Sequence, residues 1–257
     1  MADEILCSID AGIATITLNR PEKRNAINMA VLEGLRSLFA DFEKSWDVRV
    51  VVVRGAGKAF CSGMHLQEMS RRLVEQADPE SGVAAVLRQI EQSRHPTIAM
   101  IQGDAFAGGC ELALHCDLRV AADVVRFAMP LARIGLIVPF ALGQKLVEVV
   151  GPANTREMLF TARPVDARRA YEIGMVHRVV PPAELEDVTY DLARAVAANA
   201  PMSLAGMKAT ILRAASLREG IDHADLDEMV RRARKSTDAR EGVRAMLEKR
   251  KPAFRGE

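Results

Sequence analysis

Two short loops hold most of the chemistry-bearing residues of this 257-residue sequence. The first runs Arg54-Gly55-Ala56-Gly57-Lys58-Ala59-Phe60-Cys61-Ser62-Gly63-Met64-His65-Leu66, and the second Gly103-Asp104-Ala105-Phe106-Ala107-Gly108-Gly109-Cys110-Glu111-Leu112; each follows an apolar, strand-like run. Neither loop offers Gly-Lys-Ser/Thr at the spacing of a phosphate-binding P-loop, and neither fits the dinucleotide pattern G-x-G-x-x-G. Such loops can, however, aim backbone N–H groups at one point. Glycine permits the close approach, and a helix start leaves its first amides without intrahelical partners. An oxygen gaining negative charge in a transition state would be held there, and one such donor is worth about 2.7–4 kcal/mol of barrier. The same glycines also suit a pair of tight strand-to-helix turns, and spacing alone leaves both readings open.

Glu111 falls in the first turn of the helix that opens at Gly108. A carboxylate there can complement the helix dipole, a contribution of about 0.3–1 kcal/mol. Its neighbours Cys110, Leu112, Ala113 and Leu114 are apolar, however, and a carboxylate stripped of water in such a setting is suited to act as a general base. These two readings also stay open. His65 has a side chain suited to proton transfer, although a structural or ligand-contacting role is the commoner use of such a position. Cys7, Cys61, Cys110 and Cys116 form no C-x-x-C pair. The five histidines (65, 95, 115, 177 and 223) stand in no H-E-x-x-H spacing, so no zinc site is expected and reduced thiols are.

Composition narrows the class further. Thirty-five basic residues against 34 acidic ones give a net charge of +1, and aromatics make up 4%. That balance argues against nucleic acid or an anionic membrane surface as partner, and the scarcity of aromatics removes a stacking platform for single strands. Uncharged stretches such as 134–144 are too short to span a bilayer, and Met1 to Glu4 lacks a signal-peptide pattern, so a cytoplasmic location is the default expectation.

The elements that must position these loops read as α/β. Ile5 to Asp10 and Ile13 to Leu18 predict a hairpin about Ala11-Gly12. Apolar residues at 31, 32, 35, 38, 39 and 42 predict a helix within Met29 to Trp46. Val48 to Val53, five valines and one arginine, predicts a parallel strand covered on both faces. Thr97 to Gln102, Leu118 to Ala122 and Met175 to Val180 predict further strands, with helices at Gly108 to His115 and Asp166 to Ile173, the latter stopped by Gly174. After Pro181-Pro182 the patterns are helical: 183–198, 203–216, 220–235 and 239–249, with Asp238 expected to cap the last and Met202 and Met207 expected to fill a core. Asp104, Asp117 and Asp123 are expected to cap or brace turns. A division into a core of residues 1–200 and a helical oligomerisation region of 201–257 follows.

The order LNRPEKRNAIN (18–28), VVVRGAGKAFCSGMHLQEM (51–69), GDAFAGGCELALHCD (103–117), FAMPLARIGLIVPF (127–140) and LEKRKPAF (247–254) resembles the enoyl-CoA hydratase/isomerase family, the crotonase superfamily, over nearly the whole chain. The resemblance implies a spiral of strand-strand-helix units, a helical C-terminal trimerisation region, an acyl-CoA thioester as substrate, and a homotrimer or dimer of trimers. It implies no metal and no cofactor, coenzyme A being part of the substrate. By position, the Met64 and Gly108 amides match the family's oxyanion hole and Glu111 one of its two catalytic glutamates. Ala26, Ser62, His65 and Leu66 match positions that contact CoA. Arg24 is either a phosphate partner or a solvated loop arginine, the commoner fate.

The departures bear on the reaction. Leu131 stands where hydratases of the family carry the second glutamate, and Val138-Pro139-Phe140-Ala141-Leu142 replaces a glycine-rich turn. Leu131, Val138 and Phe140 are therefore expected to wall an acyl pocket that excludes water, leaving Glu111 as the single proton-transfer group for hydration or a double-bond shift. A non-catalytic acyl-CoA-binding scaffold that keeps the fold is the competing expectation.

Overall fold

The computed structural model describes residues 4–65, 79–215 and 224–255. In chain order the strands are β1 (Ile5–Asp10), β2 (Ile13–Leu18), β3 (Val50–Gly55), β4 (Thr97–Ile101), β5 (Ala105–Phe106), β6 (Leu118–Ala122), β7 (Arg126–Ala128), β8 (Val165–Asp166) and β9 (Arg178–Val180). The α-helices are α1 (Met29–Phe42), α2 (Pro79–Gln92), α3 (Gly108–Leu114), α4 (Phe140–Thr161), α5 (Ala167–Glu172), α6 (Leu185–Ala197), α7 (Pro201–Ala215), α8 (Ala224–Lys235) and α9 (Thr237–Leu247).

β1 and β2 form the antiparallel hairpin, and β2, β3, β4, β6 and β9 then lie side by side in chain order, all parallel. Each strand is laid beside its predecessor after a crossover, so the chain advances as a coil. A second sheet, in the order β5-β7-β8, takes β5 from the connection between β4 and β6 and both β7 and β8 from the connection between β6 and β9. The valines of β3 are buried on both faces, as a parallel strand between helical layers demands. Against this sheet α1 buries Val31, Leu32, Leu35, Phe39 and Phe42, and α2 contributes Val83, Val86, Leu87 and Ile90 to the same core. α1 starts where its sequence says it should: the Asn28 side chain accepts the Val31 N–H at 2.9 Å.

Several expectations need correcting. The strand expected from Met175 forms only over Arg178–Val180, because Met175 and Val176 are taken up closing the end of α5 through their N–H bonds to the Ala170 carbonyl. α9 is capped by Ser236, whose hydroxyl accepts the Ala239 N–H at 2.9 Å; Asp238 lies inside the helix and its carboxylate accepts the Arg255 N–H instead. Met202 and Met207 do not fill a core within this chain: they are 76% and 61% exposed on α7. Of the expected helix 220–235, residues 220–223 lie outside the described residues. No helix among the described residues is long and apolar enough to cross a membrane.

The opposite side of α7 is anchored. Lys208 Nζ, 7% exposed, donates to Asp117 Oδ2 at 2.8 Å and to the His95 carbonyl at 3.0 Å. Asp117 Oδ2 also accepts the Thr97 N–H at 2.7 Å and its hydroxyl at 2.8 Å, bracing the turn before β6 as expected. One buried ammonium thus ties the C-terminal helices to the sheet. Lys208→Ala leaves the half-buried Asp117 carboxylate without its cation but with its Thr97 donors, so a loss of about 2 kcal/mol is expected in urea unfolding. An unchanged midpoint would mean that the contact contributes nothing.

The thiols give a second check. Cys61, Cys110 and Cys116 are buried, whereas Cys7 is exposed. Burial pushes the Cys61 and Cys116 thiols up to about 12 and the Cys110 thiol well above its ordinary value. A thiol reagent at pH 8 should therefore modify one cysteine rapidly in the native protein and all four after denaturation; fast native labelling of a second would contradict this packing.

Candidate active site

The two glycine loops meet. β3 and β4 are parallel neighbours, so the segments that leave their C-terminal ends run side by side. Cys61 pairs with Ala105 through a bridge in which the Phe106 N–H donates to the Cys61 carbonyl at 2.9 Å and the Cys61 N–H to the Asp104 carbonyl at 3.2 Å. On its other side the first loop pairs with residues 26–28: the Ile27 N–H donates to the Gly63 carbonyl at 2.7 Å, and the His65 N–H to the Ile27 carbonyl at 2.8 Å. Met64 is thus held between two fixed anchor bonds.

Contact between the loops is close enough to require glycine. A Cβ on Gly109 would lie 2.1 Å from the Cys61 carbonyl oxygen. Gly63 has φ +89°, and a Cβ there would lie 2.9 Å from Ala107 Cβ and 3.1 Å from the Gly108 nitrogen. From the other side, a Cβ on Gly108 would lie 3.8 Å from the Met64 nitrogen. Met64 and Gly108 are therefore brought to one place from separate strand ends. Between them Ala107 takes φ 47°, ψ −121°, a conformation that is strained for a residue with a Cβ.

Glu111 lies one turn further along α3 and is 0% exposed. Its N–H donates to the Ala107 carbonyl at 3.0 Å, and its carboxylate Oε2 is 3.8 Å from His115 Nδ1. Burial holds the His115 imidazole below its ordinary pKa, so the ring is neutral at pH 7. Among the described residues no group of three or more His, Cys, Asp or Glu side chains is placed to hold a metal ion.

The remaining expected residues distribute unevenly. Ala26 is buried beside the Gly63–Ile27 pairing, whereas Ser62 and His65 are half-buried on the first loop; the Ser62 N–H donates to the Arg24 carbonyl at 3.0 Å. Arg24 itself is exposed, in the left-handed region at φ 50°. Leu66 lies outside the described residues. Val138 and Phe140 line one apolar cavity of about 310 Å³, closed from the C-terminal side by Leu226, Met229 and Val230. Leu131 is not part of that lining; it packs with Met64 against Ile134, Leu136, Ala239 and Val243.

Two positioning residues escaped the sequence reading. Asn25, 1% exposed and at φ 54°, donates from Nδ2 to the Ala59 carbonyl at 2.7 Å and the Ala56 carbonyl at 2.9 Å, while its Oδ1 accepts the Arg20 N–H at 3.0 Å. Gln102 Nε2 donates to the Ala59 carbonyl at 2.7 Å and the Gly55 carbonyl at 2.8 Å. Together they pin the backbone of the first loop. The tolerance of asparagine for the left-handed region was the one available signal.

With this geometry established, the relatives of the chain can be set beside it. A family model described as enoyl-CoA hydratase/isomerase matches residues 8–257. A short-chain-enoyl-CoA hydratase of Clostridium acetobutylicum is 30% identical over 97% of this chain and 96% of its own. A carnitinyl-CoA dehydratase of Proteus mirabilis is 33% identical over the full length of both. Among solved structures, a methylmalonyl-CoA decarboxylase in complex with 2-nitronate-propionyl-CoA superposes with a TM-score of 0.91 at 27% identity, covering 99% of each chain. The coil of strands, the helical C-terminal region and the matched sequence lead to one assignment: this chain belongs to the enoyl-CoA hydratase/isomerase family.

Proposed function

We propose that this protein is an acyl-CoA enzyme that holds the thioester oxygen of its substrate with the Met64 and Gly108 amides while Glu111 moves a proton. The carrying observation is the meeting of two strand-end loops at Gly63 and Gly108, with a fully buried carboxylate one helical turn away. The thioester of coenzyme A is the element common to the hydratase, dehydratase and decarboxylase relatives, and an oxyanion site is the feature their different chemistries would share.

The single carboxylate narrows the reaction. Hydration by two carboxylates assigns water activation and proton delivery to different groups, and Leu131 can do neither. In a double-bond shift, Glu111 takes a proton from Cα of a 3-enoyl thioester, the electrons pass to the thioester oxygen, and the protonated acid then returns the proton to Cγ as the electrons flow back. The product is the 2-enoyl thioester. One carboxylate suffices, and the apolar cluster of Ile134, Leu136, Ala239 and Val243, against which both Met64 and Leu131 pack, favours a dry surrounding for the Met64 loop. The shift is therefore the leading reading. Hydration through a single Glu111-bound water is the second, and an acyl-CoA-binding scaffold without turnover is the alternative that the experiments below distinguish.

Glu111→Gln should lower turnover of 3-enoyl-CoA, or of trans-2-enoyl-CoA if hydration is the reaction, by a factor of about 10²–10⁴ with little change in KM. Equal turnover by the variant across short and medium chains would remove Glu111 from the mechanism. Thermal stabilisation by CoA thioesters with no product from any of them would establish the scaffold instead.

The second expectation concerns assembly. The exposed Met202, Met207 and Ile211 of α7 and the half-exposed Phe254 leave apolar surface for other copies of the chain. By family resemblance Phe254 lies near a neighbour's CoA site. Removing residues 235–257 should thus lower the oligomeric state in light scattering and weaken CoA binding in the same preparation. A fully active monomer would refute this.

A further inference from the structure

The second sheet ends at the Gly108 loop, and its hold there is short. β5 has two residues and β7 three, pairing Ala105 with Phe127 and Phe106 with Ala128. Beyond them the Ala107 N–H donates to the Ala128 carbonyl at 2.8 Å. So few ladder bonds fix a register weakly by themselves. Side chains complete the hold. Extending the same register back by one residue sets Asp104 beside Arg126, and the two close a forked ion pair: Arg126 Nε donates to Asp104 Oδ1 at 3.1 Å and Nη2 to Oδ2 at 2.6 Å. Residues 104 and 106 project to the same face of the strand, and the Arg126 guanidinium carbon lies 5.8 Å from the centre of the Phe106 ring. Arg126 thus engages the second loop on either side of Ala105, the residue bridged to Cys61.

The residue that follows is the strained one. Ala107, at φ 47° and ψ −121°, sets the plane of the peptide that carries the Gly108 N–H, and that N–H has no acceptor among the described residues. Turning ψ of Ala107 by roughly 170° at nearly the same φ would bring it to the left-handed helical region, which a residue with a Cβ adopts more easily. The same turn would swing the Gly108 N–H to the opposite side of the chain. Ala107 is kept from relaxing by bonds at both its ends, the Ala128 carbonyl on its N–H and the Glu111 N–H on its carbonyl. The first of these is no firmer than the β5–β7 register.

We infer that the Arg126–Asp104 pair positions the Gly108 amide: it locks the β5–β7 register, and through the Ala107 N–H it holds the Ala107–Gly108 peptide in its strained orientation. This rests on the proposed role of Gly108 as a donor to the thioester oxygen. The side chains of Arg126 and Asp104 are 57% and 32% exposed, and an ion pair so open to water adds little to stability. Its fork nevertheless fixes direction, because both N–H bonds must be kept at once. The consequence is in the rate and not in the fold.

The test uses the purified full chain. Arg126→Ala and Asp104→Asn should each lower kcat about tenfold with KM little changed, because a donor aimed at developing charge acts on the transition state more than on the bound substrate. Their urea unfolding midpoints should stay near that of the unsubstituted protein; a large fall would make the pair a support of the fold instead. The double variant should be no slower than the slower single one, since both remove one interaction. In an Ala107→Gly background, where the same angles carry no Cβ strain, Arg126→Ala should cost no more than about threefold. Losses that multiply in the double variant, or a full tenfold loss in the glycine background, would overturn the inference.

A measurement without turnover separates this from the proposed function. With ¹³C-carbonyl alanine and ¹⁵N-glycine, NMR reports only the Ala-Gly peptides, at 11–12, 56–57, 107–108 and 205–206, and Ala107→Gly identifies the third by deleting it. That signal should move or split in Arg126→Ala while the other three stay; the same signal in both proteins would overturn the inference. If it moves while kcat keeps the level of the unsubstituted protein, the positioning stands and the oxyanion role of Gly108 falls.

Discussion

Backbone meeting backbone without side chains between them is the constraint on which the site depends. The Cys61 carbonyl lies where a Cβ of Gly109 would intrude at 2.1 Å, and Gly63 approaches Gly108 from the other loop. Replacing the Gly109 hydrogen with a methyl would force the loops apart by more than a side chain can absorb, since the nearest opposing atom is the Cys61 carbonyl oxygen of the main chain. The loops are not held there by each other alone. They leave adjacent parallel strands, and Asn25 and Gln102 pull the Ala59 carbonyl into a fixed position from two directions. A network whose members are all satisfied is stiff, and stiffness is what an array of N–H donors requires if it is to stabilise charge without reorganising.

The coil explains why that meeting point occurs where it does. Each turn deposits one long strand in the six-stranded sheet, and the connections β4–β6 and β6–β9 also deposit the short strands of the second sheet. Segments that leave the C-terminal ends of neighbouring parallel strands necessarily emerge side by side, which is the general reason for sites at that edge of α/β sheets. The contributions of residues 26–28, 61–65 and 105–109 are far apart in sequence and contiguous only because of this register.

What could be read from sequence follows the range of the forces involved. β1, β2 and β6 match their expected limits residue for residue, because β-branched runs and the Ala11-Gly12 turn are local signals. The spacing of Val83, Val86, Leu87 and Ile90 was open to the same reading of a helix. The long helix α4 was hidden by its own punctuation: Pro139 precedes it, and Gly151, at φ 73°, and Pro152 kink its middle. The two- and three-residue strands of the second sheet are too short for any periodicity, and only tertiary pairing creates them. At the site, the glycines and Glu111 were legible from residue type, whereas Asn25, Gln102 and the nearness of His115 to Glu111 are consequences of packing. Leu131 illustrates the boundary: its identity was informative at once, but its packing against Ile134, Leu136, Ala239 and Val243 rather than in the cavity with Val138 and Phe140 required coordinates.

The magnitudes weigh one reading of Glu111 against the other. Complementing the dipole of a helix is worth about 0.3–1 kcal/mol, and an exposed carboxylate does this as well as a buried one. Taking a carboxylate wholly out of water costs several kcal/mol before any compensation. Glu111 is 0% exposed, and four residues before it Ala107 holds a backbone conformation that costs about 1–3 kcal/mol more. Dipole complementarity is too small to offset either cost, and a tight turn alone needs neither of them. Two unfavourable features within five residues, in a stretch otherwise built from small apolar side chains, are what a group kept dry for proton transfer would impose on the fold around it.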